Sequence, residues 1–268
     1  MSEEWGAIED VKPFFYEMGM GYTQVAICVS EPHQNIYVTF RGTDVMEFPD
    51  ILANVNVLFD DFGPAPCHRT AECQNITMPG KVQRGWNRKI FNPKLYLSLS
   101  EKLRQTKEQY PNYDIIVAGH SLGAALSILY GVYVAKYVFH NEKVQVMNLG
   151  SPRIGNEDFY NAVQDIPNLV IWRMVYLDDI VPRYPPMWTG YRHVGHLLHW
   201  VKGGCFKAYH QQLETCTDDS QCYAGIDMKK WNILGGDVGH HKHDNYKCVV
   251  GKAKQEPERY WPKGFETP

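Results

Sequence analysis

No run of this chain is long and apolar enough to span a bilayer. The most apolar stretch, Ala124 to Phe139, falls short of the roughly 20 residues a crossing helix needs and carries Lys136, so a buried helix is expected there and no transmembrane segment. A basic stripe is also missing. The 27 Lys and Arg residues are scattered among 30 Asp and Glu, for a formal charge of −3, which argues against a nucleic-acid partner. The opening Met1-Ser2-Glu3-Glu4-Trp5 is acidic and lacks a cationic then apolar run, so no secretory signal peptide is expected in this chain. Internal repeats and low-complexity linkers are absent. With 21% charged and 44% hydrophobic residues, usage is that of an ordinary globular protein. One domain over residues 1–268 is expected, with a Pro-rich, charged and loosely held tail at about 252–268.

Cysteine, by contrast, is plentiful. Seven are many for a cytosolic enzyme, and Cys67/Cys73 and Cys216/Cys222 are spaced to close small surface loops, so both pairs are disulfide candidates. The odd count leaves one thiol free, and the pairing of Cys28, Cys205 and Cys248 is not readable. No CxxC pair accompanies them, so no metal site is expected. Asn75-Ile76-Thr77 is a glycosylation sequon inside the first loop. Together these favour an extracellular location.

Tyr22 to Val29 and Asn35 to Phe40 are β-rich runs separated by Ser30-Glu31-Pro32-His33-Gln34, an antiparallel pair. A mixed apolar excursion from Val45 to Phe59 comes next, interrupted by Pro49. From Gln83 to Tyr110, Trp86, Ile90, Leu95, Leu99 and Leu103 form one apolar stripe on a helix, or on a helix bent near Pro93. Asp114 to Ala118, Lys143 to Leu149 and Leu169 to Tyr176 are short apolar runs of the kind buried on both faces, with a helix expected from Asn156 to Gln164. Strands alternating with helices mean a largely parallel sheet.

Gly119-His120-Ser121-Leu122-Gly123 stands between one such strand and the apolar helical stretch. That is the context of a G-x-S-x-G nucleophile elbow, where glycines permit a turn so tight that the serine is held strained and exposed at the sheet edge. It also places Ser121 at a helix N-terminus, where free N–H groups favour a developing negative charge. The plainer alternative is a glycine-rich turn with Ser121 as an ordinary N-cap. An elbow of this kind needs an acid after a later strand and then a histidine. Asp178 and Asp179 both come after Leu169 to Tyr176, and spacing does not separate them. His240, His241 and His243 are the C-terminal candidates for the base. His193, His196, His199 and His210 have no such placement and are expected to be structural or exposed.

Taken in order, these segments resemble the fungal-type triacylglycerol lipase family, the class 3 lipases. Val38-Thr39-Phe40-Arg41-Gly42-Thr43 is similar to that family's strand and oxyanion loop, and Val82-Gln83-Arg84-Gly85-Trp86 to the opening of its first long helix. Gly119 to Gly123 matches its elbow, and Gly150-Ser151-Pro152-Arg153-Ile154-Gly155-Asn156 its Gly-Ser-Pro-Arg-x-Gly-Asn motif. Asp179-Ile180-Val181-Pro182-Arg183-Tyr184-Pro185-Pro186 resembles its Asp-x-Val-Pro-x-x-Pro-Pro, which selects Asp179. His243-Asp244-Asn245-Tyr246 resembles its His-x-x-Tyr, which selects His243, although Lys242 stands where the family more often has an acid. The resemblance runs from about Tyr22 to Tyr246.

It implies an α/β-hydrolase fold, a mostly parallel central sheet flanked by helices, with a lid after the first strand pair at about 44–60. It further implies a carboxylic ester hydrolase, a lipase cleaving acylglycerol esters through an acyl-serine intermediate. Ser121, Asp179 and His243 would be the triad. The N–H groups of Thr43 and Leu122 would form the oxyanion hole. Val45, Met46, Phe48, Ile51 and Leu52 would be the apolar lid, and the partner a lipid ester, reached at a lipid–water interface. No cofactor is implied, and a monomer is expected. The alternatives are a feruloyl or other non-lipid esterase, for which Tyr184, Trp188 and Tyr191 offer an aryl pocket, a phospholipase A1, or a catalytically inactive binding relative.

Overall fold

Alternating burial sets the first strands. In Thr23–Ser30 (β2) and Asn35–Phe40 (β3), side chains that point to one face are buried and their neighbours half-buried, as a sheet packed hard on one side requires. The structure, a computed structural model, describes residues 11–18, 23–42, 57–64, 76, 78–201, 205–209, 238–242, 245 and 246. A strand not expected from the sequence, Val11–Met18 (β1), pairs antiparallel with β2 and forms one edge of the main sheet. Pro13 hides it in sequence-based reading, and an edge strand is where a sheet tolerates proline.

Phe59–Asp61 (β4) and Lys81–Gln83 (β5) make a separate two-stranded ribbon. The 83–110 stripe resolves into two helices, Arg84–Ile90 (α1) and Pro93–Gln109 (α2). Pro93 cannot continue α1, and Asn92 instead caps α2 by accepting from the Lys94 N–H. Next in the chain are Asp114–His120 (β6), Leu122–Tyr133 (α3), Val144–Leu149 (β7), Glu157–Gln164 (α4) and Leu169–Tyr176 (β8). His196–Val201 (β9) and Cys205–Tyr209 (β10) complete the order β1-β2-β3-β6-β7-β8-β9-β10. The inner strands β3, β6, β7, β8 and β9 are parallel, and the pairs at both ends are antiparallel. This is the mostly parallel sheet flanked by helices that strand–helix alternation predicts.

Helix α3 is apolar all round, and every residue from Gly123 to Tyr133 is buried. Leu126, Ile128, Leu129 and Val132, each with at most 1% of its surface exposed, contribute about 1.5–3 kcal/mol apiece by burial. All four described α-helices join the larger core cluster. A second cluster, built on Met174, Leu198, Trp200 and Tyr246, lies against Met147, Leu149, Trp172 and Tyr176. No described helix is long and apolar enough to cross a membrane. Cys28 on β2 is a half-buried free thiol whose pKa burial raises. The disulfide candidates Cys67, Cys73, Cys216 and Cys222 and the sequon residue Asn75 lie outside the described residues.

Candidate active site

Strands β6, β7 and β8 are neighbours and parallel, so the turns that leave their C-terminal ends gather at one edge of the sheet. In an open α/β sheet that carboxyl edge is where ligands bind. After β6 comes Ser121, at φ 59° and ψ −123°, a conformation that costs a non-glycine residue on the order of 1–3 kcal/mol. The elbow is held at both ends: the Ser121 N–H donates to Leu149 O at 3.0 Å, and Ser121 O accepts from Ala124 and Ala125. A Cβ at residue 119 would stand 2.2 Å from Gly123 O, and one at residue 123 would stand 2.2 Å from Phe40 O, so both flanks must be glycine. Because Ala124 and Ala125 use their N–H groups on Ser121 O, the Leu122 and Gly123 amides are left as the donors of the helix's first turn. Ser121 makes no side-chain cap bond, so it is not an ordinary N-cap.

The chain leaves β8 through Leu177, whose positive φ of 45° turns the next two residues in different directions. Asp178 points outward and Asp179 inward, the latter with none of its surface exposed. The Asp179 carboxylate accepts from the Val181 N–H at 2.9 Å, from the Tyr246 hydroxyl, and from Nδ1 of His241 at 2.9 and 3.1 Å. Tyr246 is itself held by the Tyr176 N–H at 3.1 Å. With Nδ1–H given to the carboxylate, His241 carries its lone pair on Nε2, as a general base must. Gly150, at φ 59°, lets this pair close against β7. A Cβ there would meet Asp179 Oδ2 at 2.8 Å and the His241 ring at 2.9 Å.

Among the described residues, the imidazole that meets Asp179 is that of His241, on the 3-10 turn Val238–His241, while His243, the base expected from the sequence, lies outside the described residues. One expectation is corrected, that of exposure. Ser121, Asp179 and His241 are all fully buried, so the serine is not open at the sheet edge, and its Oγ makes no hydrogen bond among the described residues. Thr43 and the lid residues Val45, Met46, Phe48, Ile51 and Leu52 lie outside the described residues, while Leu122 sits at the start of α3 as expected. The three aromatics named for an aryl pocket differ in exposure. Tyr191 is buried and stacked on Phe59 at 4.2 Å, whereas Trp188 is 80% exposed.

Several supporting residues were passed over in the sequence. Arg153, from the Gly-Ser-Pro-Arg motif, donates to Arg183 O and Pro185 O, and His193 Nε2 donates to Pro182 O at 2.7 Å, so both hold the loop after Asp179 from behind. Burial first, then the charges of Arg173 and Arg153, keeps His193 well below its ordinary pKa and hence neutral. Tyr246 had a motif signal without a role, and His120 had no signal beyond its neighbour.

A family model described as lipase (class 3) matches residues 37–188. Among curated proteins, the chain is 30% identical over 178 residues to secreted mono- and diacylglycerol lipase 1 of Fusarium solani, covering 66% of this chain and 47% of the relative. It is 27% identical over 195 residues to a lipase of Rhizopus niveus, covering 71% and 43%. The chain thus spans a little under half the length of these relatives. The triacylglyceride lipase structure of Rhizomucor miehei superposes with a TM-score of 0.65 at 21% identity, covering 87% of this chain and 80% of that one, a likeness of fold.

Proposed function

This chain belongs to the class 3 lipase family, and from that premise we propose that it is a serine ester hydrolase, a lipase acting on acylglycerol esters. The observation that carries the reading is the buried His241–Asp179 pair, stacked on the residue that precedes a serine at positive φ at the sheet's carboxyl edge. Ser121 Oγ attacks the ester carbonyl while His241 Nε2 takes its proton. The tetrahedral oxyanion is met by the Leu122 N–H, with the Thr43 N–H as its expected second donor. Collapse expels the alcohol, which leaves with the proton returned by His241, and forms the acyl-serine. Water, deprotonated by the same imidazole, then releases the acid, and Asp179 stabilises the imidazolium in both halves.

Complete burial of the triad supports a cover that moves. The apolar residues Val45, Met46, Phe48, Ile51 and Leu52 suit a lid that opens onto lipid. The secreted relatives, together with the cysteine usage, support an extracellular location.

The test is a substrate panel running from short p-nitrophenyl esters through emulsified triglyceride and phospholipid to methyl ferulate, with Ser121→Ala alongside. Medium or long acyl esters are expected to be cleaved fastest, with a rise in rate as triglyceride passes its solubility. The variant is expected to be at least about a thousandfold slower. Undiminished turnover by Ser121→Ala removes the nucleophile, and methyl ferulate as best substrate replaces the acylglycerol reading.

A further inference from the structure

The structure assigns a role to the residue before the nucleophile: we infer that His120 is a positioning residue that sets the ring of His241 for proton transfer, an inference that rests on the hydrolase reading above. Three contacts carry it. The Nε2 of His120 donates to the carbonyl of His241 at 2.9 Å, and because the acceptor is a carbonyl that nitrogen must bear the hydrogen. The two imidazoles stack, with centroids 4.5 Å apart and planes 22° from parallel. The His120 ring also lies 5.5 Å from that of Tyr246. His120 therefore touches both side chains that donate to Asp179 Oδ2.

The chemistry needs such a contact. Nδ1 of the base lies at nearly equal distances from the two oxygens of Asp179, 3.1 and 2.9 Å, so that contact places Nδ1 without by itself setting the tilt of the ring. A parallel ring on one face sets the tilt, and the bond to the carbonyl fixes the backbone that carries the ring. His120 is also covalently joined to Ser121. The base lies 121 residues along the chain from His120, yet it is held by a side chain of the strand that ends next to the nucleophile. Displacing a catalytic group by about 1 Å can cost about a hundredfold in rate.

The test separates ring from donor. His120→Phe keeps a flat ring and loses the N–H, His120→Gln keeps an N–H and loses the ring, and His120→Ala loses both. His140→Gln serves as a remote histidine control. Two rates are measured: phosphonylation of Ser121 by a fluorophosphonate, and kcat and KM on p-nitrophenyl butyrate, with thermal midpoints determined in parallel. His120→Ala is expected to lose about a hundredfold in kcat and in phosphonylation. The Phe and Gln variants should each recover about tenfold of that loss, with KM within about twofold and midpoints unchanged. The control should match wild type. If the Ala variant does not fold, the Phe and Gln variants carry the comparison against wild type. Phosphonylation of all His120 variants at the wild-type rate, or losses that track the midpoint or KM instead of kcat, overturn the positioning role while leaving the hydrolase reading intact. A wild-type protein that is not labelled overturns both.

Discussion

The structure holds two His–Asp pairs side by side, and they differ in almost everything but sequence spacing. His241–Asp179 and His240–Asp178 are each 62 residues apart and come from the same two segments. The inner pair exposes 1% and 0% of its side chains, the outer 28% and 48%. The inner carboxylate is further satisfied by Tyr246 and the Val181 N–H, and its imidazole is stacked on His120. Burial in low dielectric makes such a network strong and geometrically specific, whereas an exposed ion pair is screened and contributes about 0–1 kcal/mol. The same two residue types thus make a buried hydrogen-bonded network in one place and a surface contact in the other, and what separates them is the direction the backbone turns at Leu177.

The comparison can be broken most directly at the inner pair. His241→Ala and Asp179→Asn are each expected to lower kcat by on the order of 10³- to 10⁴-fold on a soluble ester, with His243→Ala near wild type. If His243→Ala abolishes turnover and His241→Ala does not, the inner pair is not the relay. A smaller effect is expected at the third donor to Asp179. Tyr246→Phe removes one hydroxyl hydrogen bond and leaves the Tyr176 N–H without its acceptor, for a loss of about tenfold in kcat/KM, corresponding to about 1–1.5 kcal/mol. An unchanged kcat/KM would show that Tyr246 serves packing alone. The smallest effect belongs to the outer pair. Asp178→Asn and His240→Gln should change kcat/KM by less than about threefold and shift stability by no more than about 1 kcal/mol in denaturant titrations. A hundredfold loss from either would mean that the two pairs act as one unit.

Much of the fold is legible because its determinants are local. The apolar runs of β6, β7 and β8, the alternation of β2 and β3 and the cap at Asn156 each arise from residues within a few positions of one another. What escapes is what depends on neighbours far along the chain. Strand β1 is disguised by Pro13, which only its edge position makes acceptable. Strand β9 is interrupted by His196 and His199, whose rings the sheet accommodates: His196 lies 4.6 Å from the Trp172 ring, and His199 Nε2 donates to Leu177 O at 2.6 Å.

The site divides in the same way. Sequence by itself determined the elbow, since two glycines around a serine between an apolar strand and an apolar helix admit few other geometries. It also determined that an acid at 178 or 179 would meet a C-terminal histidine. Only tertiary structure decided which imidazole faces the buried carboxylate, that all three groups lie under cover, and that His120 leans on the base. Hydrogen-bond direction and burial at a meeting point of distant segments are set by where the backbones cross, and spacing along one chain carries no record of that.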